Sequence, residues 1–329
     1  MAYNFIEVCS GCGGLSTGLI KAGLTPILLN DYNNDCCETL TLNHHDVLIK
    51  QCSLLDLKLS DYINKVDLLC GGVPCQSFSS IGKRKGLKDT RGQLLMKFID
   101  LITLIEPKIF MIENVTGLLT HNKGRTFKSI LNKIKKSKLY NVKYEVLNAV
   151  NYNVPQNRKR LILIGTNKKY NVNFEYPQKN DNILTLNDVL NNVPHSIGYD
   201  YKKDKEKLYD LIPQGGNYED LPKRERTKYE SKHNTLSKNY LFRLSLNKPS
   251  PTLLCSPCQS LTERCHPLIS RPLNIREYAR IQTFDDDYKF CGSISSQYRQ
   301  IGNAVPVNLA LELGKSIISY LNKIVICIK

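Results

Sequence analysis

The chain begins with a short apolar run, Asn4-Phe5-Ile6-Glu7-Val8, that passes straight into Cys9-Ser10-Gly11-Cys12-Gly13-Gly14. Leu15, Leu19 and Ile20 then recur at helical spacing, and Gly23 stops the helix. Strand, glycine-rich turn, helix is how an open α/β sheet meets a nucleotide-like cofactor. The glycines let the backbone approach closely, and the helix N-terminus favours an anionic group. No Gly-Lys-Ser/Thr follows, so the turn is not a Walker loop, and its spacing is not that of a dinucleotide site. Ile27-Leu28-Leu29-Asn30-Asp31 reads as a second strand ending in an acid, which either accepts bonds from ribose hydroxyls or caps the next helix. A helical segment begins at Asp35, Cys36 and Cys37. Val47-Leu48-Ile49 is a third strand, with Gln51-Cys52-Ser53 behind it.

The chemistry is expected where the next strand ends. Val66-Asp67-Leu68-Leu69-Cys70 reads as a short buried strand, broken by Gly71-Gly72-Val73-Pro74, and Cys75 is left just past its end. Gln76 and Ser79 follow, then Lys83, Arg84 and Lys85 between Gly82 and Gly86. A thiol at a strand end with a basic loop behind it suits a nucleophile that works on a polyanion. Against this stands the count of 12 cysteines, since most buried cysteines are inert small hydrophobes and thiolate character must come from the surroundings.

Further along, a helix is expected from Gln93 to Ile105, stopped by Glu106-Pro107. Ile109-Phe110-Met111-Ile112 is a buried strand with Glu113-Asn114-Val115 at its end, where a carboxylate is costly unless it is paired or used. Phe127, Ile130, Leu131 and Ile134 mark an amphipathic helix whose lysines face solvent. Val142 to Val150 and Leu161 to Gly165 are expected to pair antiparallel. Between them, Pro155-Gln156-Asn157-Arg158-Lys159-Arg160 puts Arg158 and Arg160 on one face if it is extended, able to bind phosphate or a base carbonyl.

At 329 residues and 41% hydrophobic content, one large domain or two moderate ones with a real core are expected. The net charge of +16 favours a nucleic-acid partner over a merely solvated lysine-rich surface. Neither a signal-like start nor a stretch near the ~18 apolar residues of a membrane span is visible. Many cysteines without a secretory signal point to a reducing, cytoplasmic setting. A monomer is expected, because no repeat or coiled-coil pattern occurs. The α/β rhythm stops near Tyr176-Pro177. From Tyr199 to Lys248 there are 12 Lys/Arg, eight Asp/Glu and six tyrosines, a mix that suits phosphate contacts and base edges. Cys255, Cys258, Cys265 and His266 are zinc-ligand types at the wrong spacing, so no metal is expected. Cys9 and Cys12 form a Cys-x-x-Cys inside the glycine turn, and no redox role is expected there. Arg271 to Phe284 reads as a helix, and a closing helix, apolar at Leu309, Leu313, Ile317 and Leu321, follows Gln300-Ile301-Gly302-Asn303-Ala304-Val305-Pro306.

The order of these motifs resembles that of the DNA cytosine-5 methyltransferases of restriction–modification systems, over nearly the whole chain apart from about 178 to 250. The likeness rests on seven blocks: Gly11-Cys12-Gly13-Gly14, Pro74-Cys75-Gln76, Asp89-Thr90-Arg91-Gly92, Glu113-Asn114-Val115, Gln156 to Arg160, Arg276-Glu277 through Phe284, and Gly302 to Pro306. It implies an α/β, Rossmann-like S-adenosylmethionine-dependent methyltransferase sheet with helices on both faces, plus a smaller irregular target-recognition domain. The expected division is 1–177 with 295–329 as the catalytic, cofactor-binding domain and 178–294 as the DNA-binding domain. By this resemblance Cys75 attacks C6 of a cytosine, Glu113 holds N3 and N4, and Arg158 and Arg160 contact the base carbonyl and position the site. Gly11, Gly13, Gly14, Leu15, Asp31, Leu94, Asn303 and Ala304 line the S-adenosylmethionine pocket. Val73 and Pro74 meet the flipped base, Gln76 and Ser79 bind the DNA substrate, and Lys83, Arg84 and Lys85 meet phosphate on a loop that closes over double-stranded DNA. A cognate restriction endonuclease acting on the same site, without a stable complex, is the further partner the resemblance suggests.

The chain departs from the family pattern at three cofactor positions. Cys9 stands where a phenylalanine is usual, Asp31 replaces a glutamate, and Cys52 stands where an acid is usual. Two other readings are set beside the first: a tRNA cytosine-5 methyltransferase, whose Cys-Phe-Thr signature is missing here, and a DNA-binding protein without turnover.

Overall fold

The computed structural model describes residues 2–74, 90–233, 237–258 and 263–328. By contacts the chain falls into two compact units, one of residues 1–148, 159–179 and 305–329, the other of 149–158 and 180–304.

The first unit is a sheet flanked by helices. Among the described residues seven strands share it: β1 (Asn4–Val8), β2 (Thr25–Asp31), β3 (Leu48–Gln51), β4 (Leu68–Gly71), β5 (Ile109–Val115), β6 (Tyr140–Asn148) and, after the short β7 (Gln156–Asn157) of the other unit, β8 (Lys159–Asn167). The order across the sheet is β3-β2-β1-β4-β5-β8-β6. β1 to β5 run parallel, and β8 runs antiparallel to both β5 and β6. The helices are α1 (Gly14–Ala22), α2 (Asn34–Asn43), α3 (Thr90–Ile105), the single turn α4 (Gly117–Thr120) and α5 (Arg125–Lys136). The unit's last helix follows the second unit in sequence.

Burial explains the strand compositions. β4 is covered on both faces and reads as Leu-Leu-Cys-Gly with no polar side chain, as parallel strands under helices must. Ile6 and Val8 of β1 share a core with Phe98, Ile99 and Ile102 of α3 and Ile130 and Ile134 of α5. The alternate residue Glu7 faces the other way, where Ser16 of α1 bonds its carboxyl. The chain moves outward from β1 to β3 and then returns to the far side of β1 with β4. The carboxyl ends of β1 and β4 therefore flank the point where strand order reverses, the place where open α/β sheets leave a crevice.

The second unit is mostly irregular. Its described elements are β7 paired parallel with β9 (Ser250–Pro251), and the helices α6 (Lys203–Asp210), α7 (Lys223–Glu230), α8 (Ile275–Ile281) and α9 (Ile294–Asn303). Tyr209, Ile212, Tyr218, Leu221, Leu241 and Cys265 form a small core of its own. The helix expected over 271–284 is shorter, because Asn274 caps it in a capping box with Glu277 and Pro272 is held in a bridge with Cys265. The chain returns to the first unit in α10 (Val307–Ile328). No described helix is long and apolar enough to cross a membrane.

Candidate active site

Because β1, β2, β4 and β5 are parallel, the glycine turn, Asp31, Gly71 to Pro74 and Glu113 all fall at one edge of the sheet. The turn is built from left-handed residues, with φ of +53° at Cys9, +56° at Gly11 and +83° at Gly13. Nothing lies within 4 Å of a Cβ built on Gly11, so the space above the turn is open. Asp31 spans the gap between β1 and β2. Its Oδ2 accepts from the Gly11 amide at 2.9 Å and its Oδ1 from the Asn33 amide at 2.9 Å. Asp31 is thus not the cap of α2; that role belongs to Asn33, which accepts from the Cys36 amide. Burial raises the Asp31 pKa, and its amide partners oppose the shift.

Gly14 begins α1, and Leu15 is buried in the core. Leu94 of α3 lies half-buried against the core cluster. Cys52 follows β3 and donates its amide to the Asp31 carbonyl at 3.1 Å, while Asn30 Nδ2 donates to the Cys52 carbonyl at 3.0 Å. Burial pushes the Cys9 and Cys12 thiols well up, so both are neutral fillers. Directly after Asp31, Tyr32 is 73% exposed, an aromatic ring open to solvent beside the acid. An open glycine turn, a strand-ending carboxylate and a free aromatic face make a donor and acceptor set that fits a nucleoside with an anionic or polar tail.

The second half of the edge is a buried ion pair. Glu113 lies on β5, and Arg160 of β8 stands opposite Val115, two residues away on the same face. Arg160 Nε reaches back to Glu113 Oε1 at 3.0 Å, with both side chains largely out of water. A Cβ at Gly72 would sit 3.3 Å from Glu113 Oε2, so glycine lets the acid lie close over the exit of β4. Asn114 Nδ2 donates to the Val73 carbonyl at 3.0 Å, which ties the end of β5 to the same exit. Val73 is buried and Pro74 half-buried. Cys75, Gln76, Ser79, Lys83, Arg84 and Lys85 lie outside the described residues.

Arg158 and Arg160 do not share a face. β7 ends at Asn157 and β8 begins at Lys159, so strand alternation does not carry through Arg158. Its guanidinium is 1% exposed and donates to the carbonyls of Leu253 at 3.1 Å and Gly302 at 2.9 Å, all within the second unit. Asn303 and Ala304 belong to that unit too. Asn303 is exposed, with its Oδ1 accepting from the Cys255 thiol at 3.0 Å, and Ala304 is buried. Cys265 is buried, and His266 Nδ1 accepts the amides of Leu268 and Ile269 at 3.1 and 3.2 Å. Among the described residues no group of three or more His, Cys, Asp or Glu is placed to hold a metal.

Gly72, Asn114 and Tyr32 were not singled out from the sequence. The Gly71-Gly72 doublet was visible only as a strand breaker. An aromatic after a strand-ending acid is a weak signal until its exposure is known.

Residues 3–319 match the family of C-5 cytosine-specific DNA methylases. The type II methyltransferase M.Eco47II of Escherichia coli is 42% identical over 98% of this chain and 80% of its own length. The type II methyltransferase M.Sau96I of Staphylococcus aureus is 40% identical over 98% of this chain and 77% of its own. A crystal structure of an E. coli prophage protein described as a DNA modification methyltransferase superposes with a TM-score of 0.74 at 24% identity, covering 98% of this chain and all of that one.

Proposed function

Because the chain belongs to the C-5 cytosine-specific DNA methylases, we propose that it methylates C5 of a cytosine within a short duplex DNA sequence by covalent addition of Cys75 to a flipped-out base. The first unit carries the chemistry and the second recognises the target. S-adenosylmethionine, when bound, supplies the methyl group on an electrophilic sulfonium. Gly11, Gly13 and Gly14 would hold it through backbone, Asp31 through its ribose, and Tyr32 would offer a face for its adenine, with Leu15 and Leu94 beside them.

Cytosine C5 is a poor nucleophile on its own. Addition of the Cys75 thiolate to C6 pushes an electron pair toward C5 and N3. Glu113 disperses the charge at N3 with a hydrogen bond or a proton. Arg160, paired to Glu113 at 3.0 Å, keeps the carboxyl oriented and faces the base carbonyl. Once C5 carries the methyl group, its proton passes to solvent, the C5–H electron pair restores the 5,6 double bond, and the Cys75 thiolate leaves C6. C6 is inaccessible to the thiol within the stack, so the base must be flipped at a cost of a few kcal/mol. Val73 and Pro74 meet the base, and Gln76, Ser79, Lys83, Arg84 and Lys85 meet the DNA. Arg158 acts as a positioning residue, since its guanidinium is already bonded to Leu253 and Gly302.

The observation that supports this reading most is the buried Glu113–Arg160 pair lying over Gly72, three residues before Cys75. Expression in a host without cytosine methylation, followed by bisulfite sequencing, tests it. Methylation confined to one short motif, absent with Cys75→Ser, is the expected result. A folded wild type that leaves DNA unmodified, or a Cys75→Ser variant that still methylates, would sink the covalent reading.

A further inference from the structure

Among the described residues, the buried and half-buried arginines of the second unit are well partnered, with one exception. Arg158 bonds two distant carbonyls. Arg243, equally buried, donates to the carbonyls of His266, Pro267 and Tyr209 and to the Ser270 hydroxyl. Arg271 grips Glu277 with both terminal nitrogens, at 2.8 and 2.7 Å. Arg264 is 8% exposed, and its described hydrogen bond runs from Nη1 to the carbonyl of Glu263, the residue just before it. Its Nε, like that of Arg243, has no partner among the described residues, but Arg243 spends both Nη1 and Nη2 on distant groups. The Glu263 carboxylate is committed to Lys205 at 2.6 Å. What Arg264 has instead is the ring of Phe242, 5.3 Å from its guanidinium carbon. Burial accordingly lowers its pKa.

A guanidinium taken out of water with its Nε unsatisfied and its described bond spent on a neighbouring carbonyl destabilises the unit that holds it. A fold that needed only bulk here would be served by an apolar side chain of the same length. We propose that Arg264 is a specificity-determining residue, whose planar fork rotates off Phe242 to read O6 and N7 of a guanine in the recognised sequence. This rests on the reading that the second unit recognises the DNA target. A phosphate contact fits less well. Phosphates are met by solvated cations, whereas a guanidinium already stripped of water and set against a ring has little left to lose when base-edge acceptors replace its surroundings.

The test uses the full chain, once the methylated motif of the wild type is mapped, with Arg264→Met and Arg264→Lys. Affinity is measured for the motif duplex, for unrelated duplex, and for motif duplexes carrying 7-deazaguanine, which lacks the N7 acceptor, at each guanine in turn. Arg264→Met is expected to melt at or above the wild-type temperature and to bind the motif about 10- to 100-fold more weakly, with unrelated duplex unaffected. One 7-deazaguanine position should weaken the wild type and leave Arg264→Met unchanged, and Arg264→Lys should recover only part of the affinity. A lower melting temperature with unchanged motif preference makes Arg264 structural and overturns the proposal. Loss that is uniform across sequences, with a salt slope smaller by about one, makes it a phosphate contact and overturns it too. A wild type that methylates no duplex refutes the function itself, which distinguishes that failure from this one.

Discussion

Glu7 shows how much a single buried group can impose on this chain. Its carboxyl is pushed up to about 8 from 4.5, first by burial on β1, with Ser16 pulling the other way. Between those two values the folded chain holds a proton that the unfolded chain has released. Stability from this group is therefore full below about pH 4.5 and is lost as pH rises toward 8. Glu7→Gln cannot ionise and lacks this dependence. The melting temperature of the wild type should fall relative to Glu7→Gln between pH 5 and 8, by an amount equivalent to a few kcal/mol. Parallel melting curves across that range would show that Glu7 is ionised in the fold. Glu113, by contrast, is held in an ion pair. The sequence marked it as an acid that had to be paired or used, and Arg160 is the partner. Its closeness to Gly72 was invisible, because strands β4 and β5 are joined by nearly forty residues and meet only in the sheet.

At the scale of elements, the glycine turn depends on how α1 is seated. A Cβ on Gly18 would meet both the Ala310 Cβ and the Val307 carbonyl of α10 at 2.4 Å, and a Cβ on Gly314 would meet Ala22 at 2.6 Å. The two helices cross through their glycines. Gly18→Ala should force the backbones apart, cost about 1–3 kcal/mol and lower the melting temperature by several degrees. S-adenosylmethionine binding measured by calorimetry should weaken with it, because α1 begins at the turn. An unchanged melting temperature would mean that the crossing tolerates the methyl group. The closing helix itself was legible from Leu309, Leu313, Ile317 and Leu321, all buried as that spacing requires. Its partner was not legible, because nothing in a helical repeat names the helix it meets.

At the scale of the whole molecule, the net charge of +16 acts on DNA before any base is read. Affinity for unrelated duplex should fall at least about tenfold between 50 and 200 mM salt, as counterions displaced from phosphate return. Filter binding or fluorescence anisotropy at four salt concentrations gives the slope. A flat response would mean that these charges only solvate the surface.

Local pattern was enough for most of the first unit. The strands of β1 to β5, the stops at Gly23 and Pro107 and the antiparallel pair of β6 and β8 all follow from side-chain period and backbone stereochemistry, which act over a few residues. The seven motifs likewise identified the enzyme family, because reacting groups must be drawn from a short list of residue types. Tertiary structure alone decided which groups meet. It put Arg160 on Glu113 and sent Arg158 to Leu253 and Gly302, although the two arginines are separated by a single residue. It gave Asn33 the cap and left Asp31 for Gly11, and among the described residues it left Arg264 the carbonyl of its neighbour Glu263 and the ring of Phe242. Each of these turns on which carbonyl or carboxylate a side chain finds across the fold, a distance fixed by packing rather than by neighbours in the chain.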